Sequence, residues 1–382
     1  MRLADCHNIA DFRTLARRRL PWPVFDYIDG AADDEITKDR NTGAFADCDL
    51  VPNVLAQVAQ VDMSVQLFGR KLAMPLFLSP TALQRIFHPH GEIGVARAAE
   101  QFGTCFGISS LSTVPLSEIG RQFPGPKMFQ LYVHKDEGLN RALVESARAA
   151  DFDVLALTVD TIVGGNRERC LRSGFGSPPR ITPRSFWGYA SRPKWAVEFL
   201  SGGKVEMPNL AGYLPADGKP MSIADYFTRM LDQTLDWKRA EAIRAAWGDR
   251  PFCLKGIMSV GDARRAVDIG ATAIMVSNHG GRQLDGSRAP FDQLAEIVDA
   301  VGDRVDVILD GGVRRGTHVL KALSVGAKAC SGGRLYLYAL AAAGEEGVVR
   351  ALTLLRAEME RDMKLMGASR IADLTRENLR WR

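Results

Sequence analysis

The sequence has few cysteines and no long apolar run, and both absences limit the class of protein. Its six cysteines lie far apart and form no C-x-x-C pair. Neither a structural zinc site nor a disulfide framework is therefore expected, and this usage fits a reducing compartment. No apolar stretch approaches the roughly 20 residues of a membrane-spanning helix, and the first residues lack the apolar core of a signal peptide. We expect a cytoplasmic protein that is at most peripheral on the inner face of the cytoplasmic membrane.

The excess of positive over negative charge is also small. The formal net charge is only +4, and the arginines are spread along the chain, apart from a run at 17–19 and a basic C-terminal tail. Mild, scattered positive charge usually solvates a surface, which argues against a nucleic-acid partner.

Two nucleotide-binding motifs and a metal cluster are missing as well. No G-x-G-x-x-G follows a predicted strand, and the glycines at 311–316 lack the Lys-Ser/Thr of a P-loop. Neither a nicotinamide-binding Rossmann domain nor a P-loop site is therefore expected. His88 and His90 are close together, but no further ligand cluster follows them, so we expect no metal site.

Apolar strands do alternate with helical patterns along most of the chain. Its 382 residues, 46% of them hydrophobic, can bury a large core. Eight apolar segments predict strands: 75–78, 105–108, 128–132, 154–158, 252–255, 271–276, 306–309 and 327–330. Helical spacing recurs between them, for example at 92–102, 139–149 and 291–301. Eight such units predict a (β/α)8 TIM barrel, an α/β fold, as one domain over residues 1–382.

Two segments depart from this alternation. Residues 1–60 contain helical patterns at 11–19 and 24–28 and are predicted to form a cap that closes the barrel's end. Residues 171–250, after the fourth strand, form an insertion too long for an ordinary connection and are predicted to be a lid or binding segment. The insertion contains the aromatic residues Trp187, Tyr189, Trp195 and Phe199. They would either enter a membrane interface or pack on the barrel or on a neighbouring subunit.

The most informative motif is Ser-Asn-His-Gly-Gly-Arg-Gln at 277–283, which follows the sixth strand. It places a titratable imidazole, His279, three residues from a guanidinium, Arg282, and its paired glycines let the backbone turn sharply. Catalytic groups of a barrel lie at the C-terminal ends of its strands. The motif therefore predicts acid–base chemistry beside recognition of an anion.

The ends of the last two strands predict a phosphate site. Gly311 and Gly312 precede Arg314, and Gly333 precedes Arg334. Barrels commonly bind phosphate at these two positions, where glycine-rich turns expose backbone N–H groups and arginine supplies charge.

Together these residues resemble the FMN-dependent 2-hydroxy-acid dehydrogenases and oxidases, a family that includes L-lactate dehydrogenase, glycolate oxidase, mandelate dehydrogenase and flavocytochrome b2. The motif at 277–283 carries the resemblance, with Pro-Thr-Ala at 80–82, Thr-Val-Asp at 158–160 and Asp-Gly-Gly at 310–312. Within the family, residues 160–169 are most similar to the bacterial L-lactate dehydrogenases. The resemblance implies FMN as cofactor and a homotetramer.

It also implies the substrate site. His279 would be the base, Asp160 would stabilise its imidazolium, and Arg282 and Arg167 would bind the substrate carboxylate, since a guanidinium donates two parallel hydrogen bonds. Tyr27 would add a bond to the carboxylate and Tyr132 one to the hydroxyl. The side-chain pocket would include Ala82 and Leu111; glycolate oxidase has tryptophan at the position of Leu111, so a larger substrate is expected.

The resemblance further implies the flavin site. Lys255 would stabilise the negative charge of reduced FMN near N1. The remaining predicted FMN contacts are Pro80, Thr81, Ala82, Ser109, Gln130, Thr158, Ser277, Asp310, Gly311, Gly312, Arg314, Gly333 and Arg334. Two positions depart from the family pattern: Cys170 replaces a frequent aspartate, and Leu335 a frequent proline.

The predicted function is oxidation of an L-2-hydroxy acid, lactate first, to the 2-oxo acid, with electrons passed to a quinone or cytochrome rather than to NAD. The alternatives are an oxidase that reduces O2 to H2O2 and a mandelate-type dehydrogenase. An isomerase or nucleotide dehydrogenase does not need His279, Arg282 and Arg167 together, and a flavin carrier without turnover would need no carboxylate clamp.

Overall fold

The computed structural model describes residues 1–175, 183–201, 205–213 and 223–382. Its strands in these ranges are β1 (Cys48–Leu50), β2 (Val65–Leu67), β3 (Arg70–Leu72), β4 (Leu76–Thr81), β5 (Phe106–Ser109), β6 (Lys127–Leu131), β7 (Val154–Thr158), β8 (Phe252–Ile257), β9 (Ala273–Ser277), β10 (Asp306–Asp310), β11 (Ala329–Gly332) and β12 (Leu379–Trp381). Strands β4 to β11 close into a parallel barrel in chain order, and β11 pairs with β4 through Cys330 and Leu76. The predicted (β/α)8 barrel is confirmed.

The helices surround this barrel. Those of the described residues are α1 (Ile9–Arg19), α2 (Trp22–Asp29), α3 (Ile36–Gly43), α4 (Gly91–Gln101), α5 (Leu116–Gln122), α6 (Glu137–Ala149), α7 (Glu168–Ser173), α8 (Pro183–Ala190), α9 (Pro193–Ser201), α10 (Ile223–Met230), α11 (Trp237–Trp247), α12 (Val260–Asp268), α13 (Pro290–Val301), α14 (Gly316–Val325) and α15 (Arg334–Met366). Helix α15 is interrupted at Ala343 and Gly344, whose backbone angles are not helical. Every residue of β7 is buried, because parallel strands covered by helices are apolar on both faces.

The N-terminal end of the barrel is closed by a hairpin that the sequence pattern did not reveal. Strands β2 and β3 pair antiparallel, and Phe68 between them packs edge-on against Phe77 of β4 at 6.1 Å. Helices α2 and α3 of the N-terminal segment lie at the opposite end, where the Arg282 side chain donates a hydrogen bond to the Tyr27 carbonyl. The N-terminal segment is helical in α1, α2 and α3, as predicted, and it borders the end that carries the polar residues.

The insertion is mostly helical in its described parts. Helix α11 packs against α6 and leads into β8, so it is the barrel helix of this unit. Trp195 is 5% exposed, donates a hydrogen bond to the Ile86 carbonyl and stacks on Tyr189 and Phe199. Trp187, in contrast, is 74% exposed. Part of the aromatic set therefore packs on the barrel, while Trp187 faces outward.

Candidate active site

A cavity opens at the C-terminal end of the barrel. Its empty space, the open mouth included, is about 890 Å³. Its lining includes Tyr27, Pro80, Thr81, Ala82, Tyr132, Arg167, Lys255, His279, Arg282, Asp310, Gly311, Gly312, Arg314, Gly333 and Arg334. Fifteen predicted site residues thus meet around one space, although they come from α2 and from seven barrel strands or the loops that follow them.

His279 lies at the centre of a hydrogen-bonded group. Its Nδ1 is 2.9 Å from Oδ1 of Asp160 and 3.2 Å from Oγ1 of Thr161, and its Nε2 is 3.3 Å from the hydroxyl of Tyr132. The carboxylate contact favours the tautomer that carries its proton on Nδ1 and leaves a lone pair on Nε2. The free nitrogen then faces the cavity beside Tyr132.

The electrostatics of the pair suit a proton acceptor. Burial lowers the pKa of His279, although the charge and hydrogen bond of Asp160 act in the opposite direction. For Asp160, burial would raise the pKa, but the His279 interaction and the Lys255 charge bring it below the ordinary value. At neutral pH the imidazole is therefore neutral and the carboxylate charged.

The backbone of the motif is held in a rare conformation. His279 has φ +58°, followed by Gly280 at +66° and Gly281 at +74°. A Cβ on Gly281 would lie 2.6 Å from the backbone nitrogen of Lys38, so only glycine allows α3 to approach this closely. Left-handed backbone at a non-glycine residue costs on the order of 1–3 kcal/mol and is concentrated at functional sites.

Gln283, the last residue of the motif, ties it to the loop after β7. Its side-chain amide donates to the carbonyls of Asp160 and Val163 and accepts from the backbone N–H of Gly165. These bonds hold the loop that carries Arg167 against the motif that carries His279. No local feature of the sequence predicted this role of Gln283.

Arg167 and Arg282 form a pair of cations without a carboxylate partner among the described residues. Arg282 donates to the carbonyls of Tyr27 and Gly30, and Arg167 Nε lies 3.4 Å from the Arg282 carbonyl. Burial and the charge of Arg282 lower the pKa of Arg167 to about 10. Two neighbouring guanidinium groups that bond mainly to neutral carbonyls can accept a bound carboxylate.

Cys170 leaves this positive charge uncompensated. Burial raises the pKa of its thiol, against the opposing effect of Arg282 and Arg167. The thiol is therefore neutral at neutral pH, where an aspartate would add a negative charge. The other departure, Leu335, is fully buried near the start of α15.

Two tyrosines border the space between His279 and the arginines. Tyr27 lies under the Arg282 guanidinium at 4.9 Å from the ring centroid and stacks on Phe175. Burial raises the pKa of Tyr132 well above its usual value, so its hydroxyl stays protonated and can donate a hydrogen bond.

Lys255 is joined to Asp310 beneath the cavity. Its Nζ is 2.9 Å from Asp310 Oδ2 and 3.2 Å from Ser277 Oγ. Burial alone would lower the pKa of Lys255, but the charge of Asp310 raises it overall. Asp310 also accepts hydrogen bonds from the hydroxyls of Ser79, Ser277 and Ser331. The lysine is therefore a fixed cation, and the carboxylate is held by four donors.

A second group of cations lies at the ends of β10 and β11. Arg334 donates to the carbonyls of Ile28, Gly30 and Gly280, and burial lowers its pKa to about 10. Burial also lowers the pKa of Arg314. Neither arginine has an ion pair among the described residues, so both can neutralise a bound anion.

Comparison with known proteins decides the family. The FMN-dependent dehydrogenase family model matches residues 16–381. The chain belongs to the FMN-dependent dehydrogenase family. L-lactate dehydrogenase of Yersinia pestis (strain Pestoides F) is 40% identical over 373 residues, which cover 97% of each chain. The family resemblance predicted from the sequence is confirmed.

Solved structures of similar proteins agree with this family. The monotopic membrane protein (S)-mandelate dehydrogenase matches with TM-score 0.92 and 32% identity, over 99% of this chain and 100% of that one. Mandelate oxidase matches with TM-score 0.84 and 37% identity, over 98% of each chain. Both comparisons span nearly the whole chain, so they cover the barrel and the described insertion helices alike.

FMN is the cofactor of this family, and the cavity fits it. The unpaired Arg314 and Arg334 suit its phosphate. Gly312 has φ +74°, and the turn that it forms places backbone in the cavity lining beside Arg314. Lys255 provides a further cation in the lining, fixed by Asp310, of the kind that stabilises a reduced flavin ring. The cations present therefore match a ligand that has both an anionic phosphate and an electron-accepting ring.

Some predicted residues lie behind the cavity lining. Gln130 donates to the Thr158 hydroxyl at 2.6 Å, Ser277 lies between Lys255 and Asp310, and Ser109 and Leu111 are buried at 1% and 2% exposure. Their direct contacts with FMN or substrate stay predictions, as does the bond from Asp310 to the ribityl chain.

Several apolar residues of the lining were not predicted from the sequence. Ile28, Phe87 and Leu337 line the cavity beside the predicted groups, and Phe227 reaches it from α10 in the insertion. Such residues carry no motif, because an apolar side chain in a binding wall has the same sequence pattern as one in a core.

Proposed function

We propose that this protein oxidises an L-2-hydroxy acid to the corresponding 2-oxo acid. The observation that supports this most is the juxtaposition of a neutral His279, hydrogen-bonded to charged Asp160, with the unpaired Arg167 and Arg282 in one cavity. A 2-hydroxy acid carries its carboxylate and its reacting carbon one bond apart, so it needs a base and a carboxylate clamp side by side.

The residues divide the work as follows. Arg167 and Arg282 bind the carboxylate, with Tyr27 beside them. Tyr132 donates a hydrogen bond at the substrate oxygen, next to Nε2 of His279. His279 removes one proton from the substrate and holds it on Nε2, and Asp160 stabilises the resulting imidazolium. FMN, when bound, would accept the two electrons and the second proton that the alcohol loses.

Lactate is the first substrate to test. The relatives in Yersinia that are 40% identical are L-lactate dehydrogenases, whereas the similar solved structures act on mandelate by their names. A mandelate-type substrate is therefore the second candidate. We further propose that electrons leave to a quinone or cytochrome-type acceptor; an oxidase that uses O2 is the alternative.

Anaerobic mixing of the purified FMN protein with L-lactate tests the reaction directly. Bleaching of the flavin absorbance supports it, and bleaching with (S)-mandelate alone selects the second candidate. No bleaching with either acid, nor with larger 2-hydroxy acids, would overturn the proposal. Readmission of oxygen then distinguishes the acceptors, because fast reoxidation indicates an oxidase and slow reoxidation a dehydrogenase.

A peripheral position on the inner face of the cytoplasmic membrane is proposed as well. No helix in the described residues is long and apolar enough to cross a membrane. Exposed apolar side chains occur on α8 and α9, with Trp187 at 74%, Leu200 at 78% and Val197 at 65% exposure, and one similar structure is a monotopic membrane protein. Deletion of residues 185–202 should weaken sedimentation with vesicles but leave flavin reduction intact; unchanged sedimentation would reject this role.

The homotetramer implied by the family resemblance also remains a proposal. Light scattering during size-exclusion chromatography tests it, since a monomer of 41.9 kDa and a tetramer differ fourfold in mass.

A further inference from the structure

The end of the insertion reaches the cavity through one aromatic side chain. We call residues 226–232, the end of α10 and the two residues that follow, the arm. Phe227 of the arm is 3% exposed and lines the cavity together with Tyr132, Arg167 and His279. Among the described residues of the insertion, Phe227 alone lines the cavity.

Phe227 contacts two groups assigned to the substrate. Its ring packs edge-on against Tyr132 with centroids 5.3 Å apart. The Arg167 guanidinium carbon lies 6.0 Å from its ring centroid, a distance typical of a cation–π contact. One ring therefore borders both the group proposed for the substrate oxygen and the group proposed for the carboxylate.

The arm is hydrogen-bonded to the residues directly after β6. The Tyr226 hydroxyl is 2.6 Å from Nε2 of His134, and His134 is fully buried. Burial lowers the pKa of His134 to about 4, so the ring is neutral at neutral pH. Its Nε2 can then accept a hydrogen bond from the Tyr226 hydroxyl.

Backbone bonds continue this attachment. Lys135 N–H donates to the Met230 carbonyl, and Asp232 N–H donates to the Val133 carbonyl, both at 2.9 Å. The arm is thus fixed to the same stretch of chain that carries Tyr132. These bonds therefore hold Phe227 in a set position relative to Tyr132.

We propose that Phe227 is the wall against which the C2 substituent of the substrate packs, and that Tyr226 and His134 position this wall. The inference rests on the proposed function. The carboxylate, the hydroxyl and the substituent share one carbon, so a group that borders the sites of the first two lies within reach of the third. An aromatic wall selects an apolar substituent and limits its size, so the substrate class is 2-hydroxy acids with small apolar side chains.

Ligand binding tests this without turnover. Pyruvate and benzoylformate, 2-oxo acids with a methyl and a phenyl substituent, are titrated into the FMN-loaded protein, and the flavin absorbance change gives each Kd. Phe227→Ala should shift the Kd ratio at least about tenfold in favour of benzoylformate, since one or two methylenes of pocket space are worth this much. An unchanged ratio in protein that retains FMN would overturn the proposal.

Two further variants test the positioning residues and guard against misfolding. Tyr226→Phe keeps the ring but removes the bond to His134, and should shift the ratio in the same direction and raise KM more than it lowers kcat. Tyr213→Phe, at a 38% exposed tyrosine of the same insertion, is the matched control and should change neither. If Phe227→Ala does not fold, Phe227→Leu and Phe227→Trp replace it, and equal ratios in both would overturn the wall.

The outcome separates this inference from the proposed function. If Phe227→Ala shifts the Kd ratio but no 2-hydroxy acid reduces the flavin of the wild-type protein, the proposed reaction is rejected and the role of Phe227 is supported. Normal reduction by lactate with an unshifted ratio would reject the wall alone.

Discussion

Nδ1 of His279 lies 2.9 Å from Oδ1 of Asp160, although the two residues are 119 positions apart in the chain. Asp160 follows β7 and His279 follows β9, and the intervening strand β8 keeps the two strand ends at a constant spacing. The barrel therefore brings together the proposed base and its counterion from two separate loops. Five predictions follow from this and related contacts.

The first concerns the proposed base. His279→Gln should keep FMN but reduce flavin more slowly with L-lactate by roughly 10²- to 10⁴-fold, the usual contribution of a positioned base. Anaerobic stopped-flow measurement of flavin bleaching gives the rate. His7→Gln, at an exposed position, is the control. Wild-type rates in the His279 variant would remove it as the base.

The second concerns pH. His279 must be neutral to accept a proton, so kcat/KM should rise with pH through its pKa, which burial places below the ordinary value of 6.5. Asp160→Asn removes a charge and a hydrogen bond that raise this pKa, so the inflection should move to lower pH. The plateau should fall as well, because the imidazolium loses its counterion. An inflection that moved upward in this variant would contradict the assignment.

The third concerns the carboxylate clamp. Arg167→Lys should raise the Kd for pyruvate and the KM for lactate roughly 10- to 100-fold, since a hydrogen bond to a charged group contributes about 1.5–3 kcal/mol and lysine lacks the planar pair of donors. Arg172→Lys, on α7 directly after Arg167 and with a 70% exposed side chain, is the control. Equal affinities in both variants would place the carboxylate elsewhere.

The fourth concerns the FMN phosphate. Arg314→Gln should weaken FMN binding by roughly 10- to 100-fold, for the same charge-assisted bonds. Arg304→Gln is the matched control, because Arg304 precedes β10 at the opposite end of the barrel, with a 45% exposed side chain. Flavin fluorescence released during dialysis measures the loss. Full FMN retention by the Arg314 variant would contradict the predicted phosphate site.

The fifth concerns stability. Asp29 is 2% exposed and accepts hydrogen bonds from Arg13, Arg169 and Tyr338. Asp29→Asn should lower the free energy of unfolding in urea by about 1.5–3 kcal/mol, because the buried carboxylate loses its charge-assisted hydrogen bonds from Arg13 and Arg169, whose own side chains are partly exposed. Asp34→Asn, at an exposed position in the loop after α2, should change it little.

The pH dependence of the difference in unfolding free energy between wild type and Asp29→Asn provides a second check. Burial would raise the pKa of Asp29, but the bonds from Arg13 and Tyr338 and the charges of both arginines hold it well below the ordinary 3.8. A depressed carboxyl pKa stabilises the fold above the unfolded-state pKa, and this contribution is lost as pH falls below it. The difference between wild type and Asp29→Asn should therefore be full at neutral pH and shrink below about pH 4. A constant difference down to pH 3 would argue against the ion-pair origin.

The sequence alone determined the barrel and the polar part of the site. Local features were sufficient, because a buried parallel strand is a short apolar run, as at β7, and the groups of a site follow the C-terminal ends of such runs. His279, Arg282, Asp160, Lys255 and the two arginines after β10 and β11 all occupy such positions.

Only the tertiary structure decided what closes the barrel and which apolar residues line the cavity. The hairpin of β2 and β3 and the placement of Phe227 depend on packing between segments far apart in the chain. An apolar residue has the same local pattern whether it fills a core, covers a barrel end or lines a cavity. The destination of such a residue is set by which surfaces the completed barrel leaves open, and no stretch of the sequence contains that information by itself.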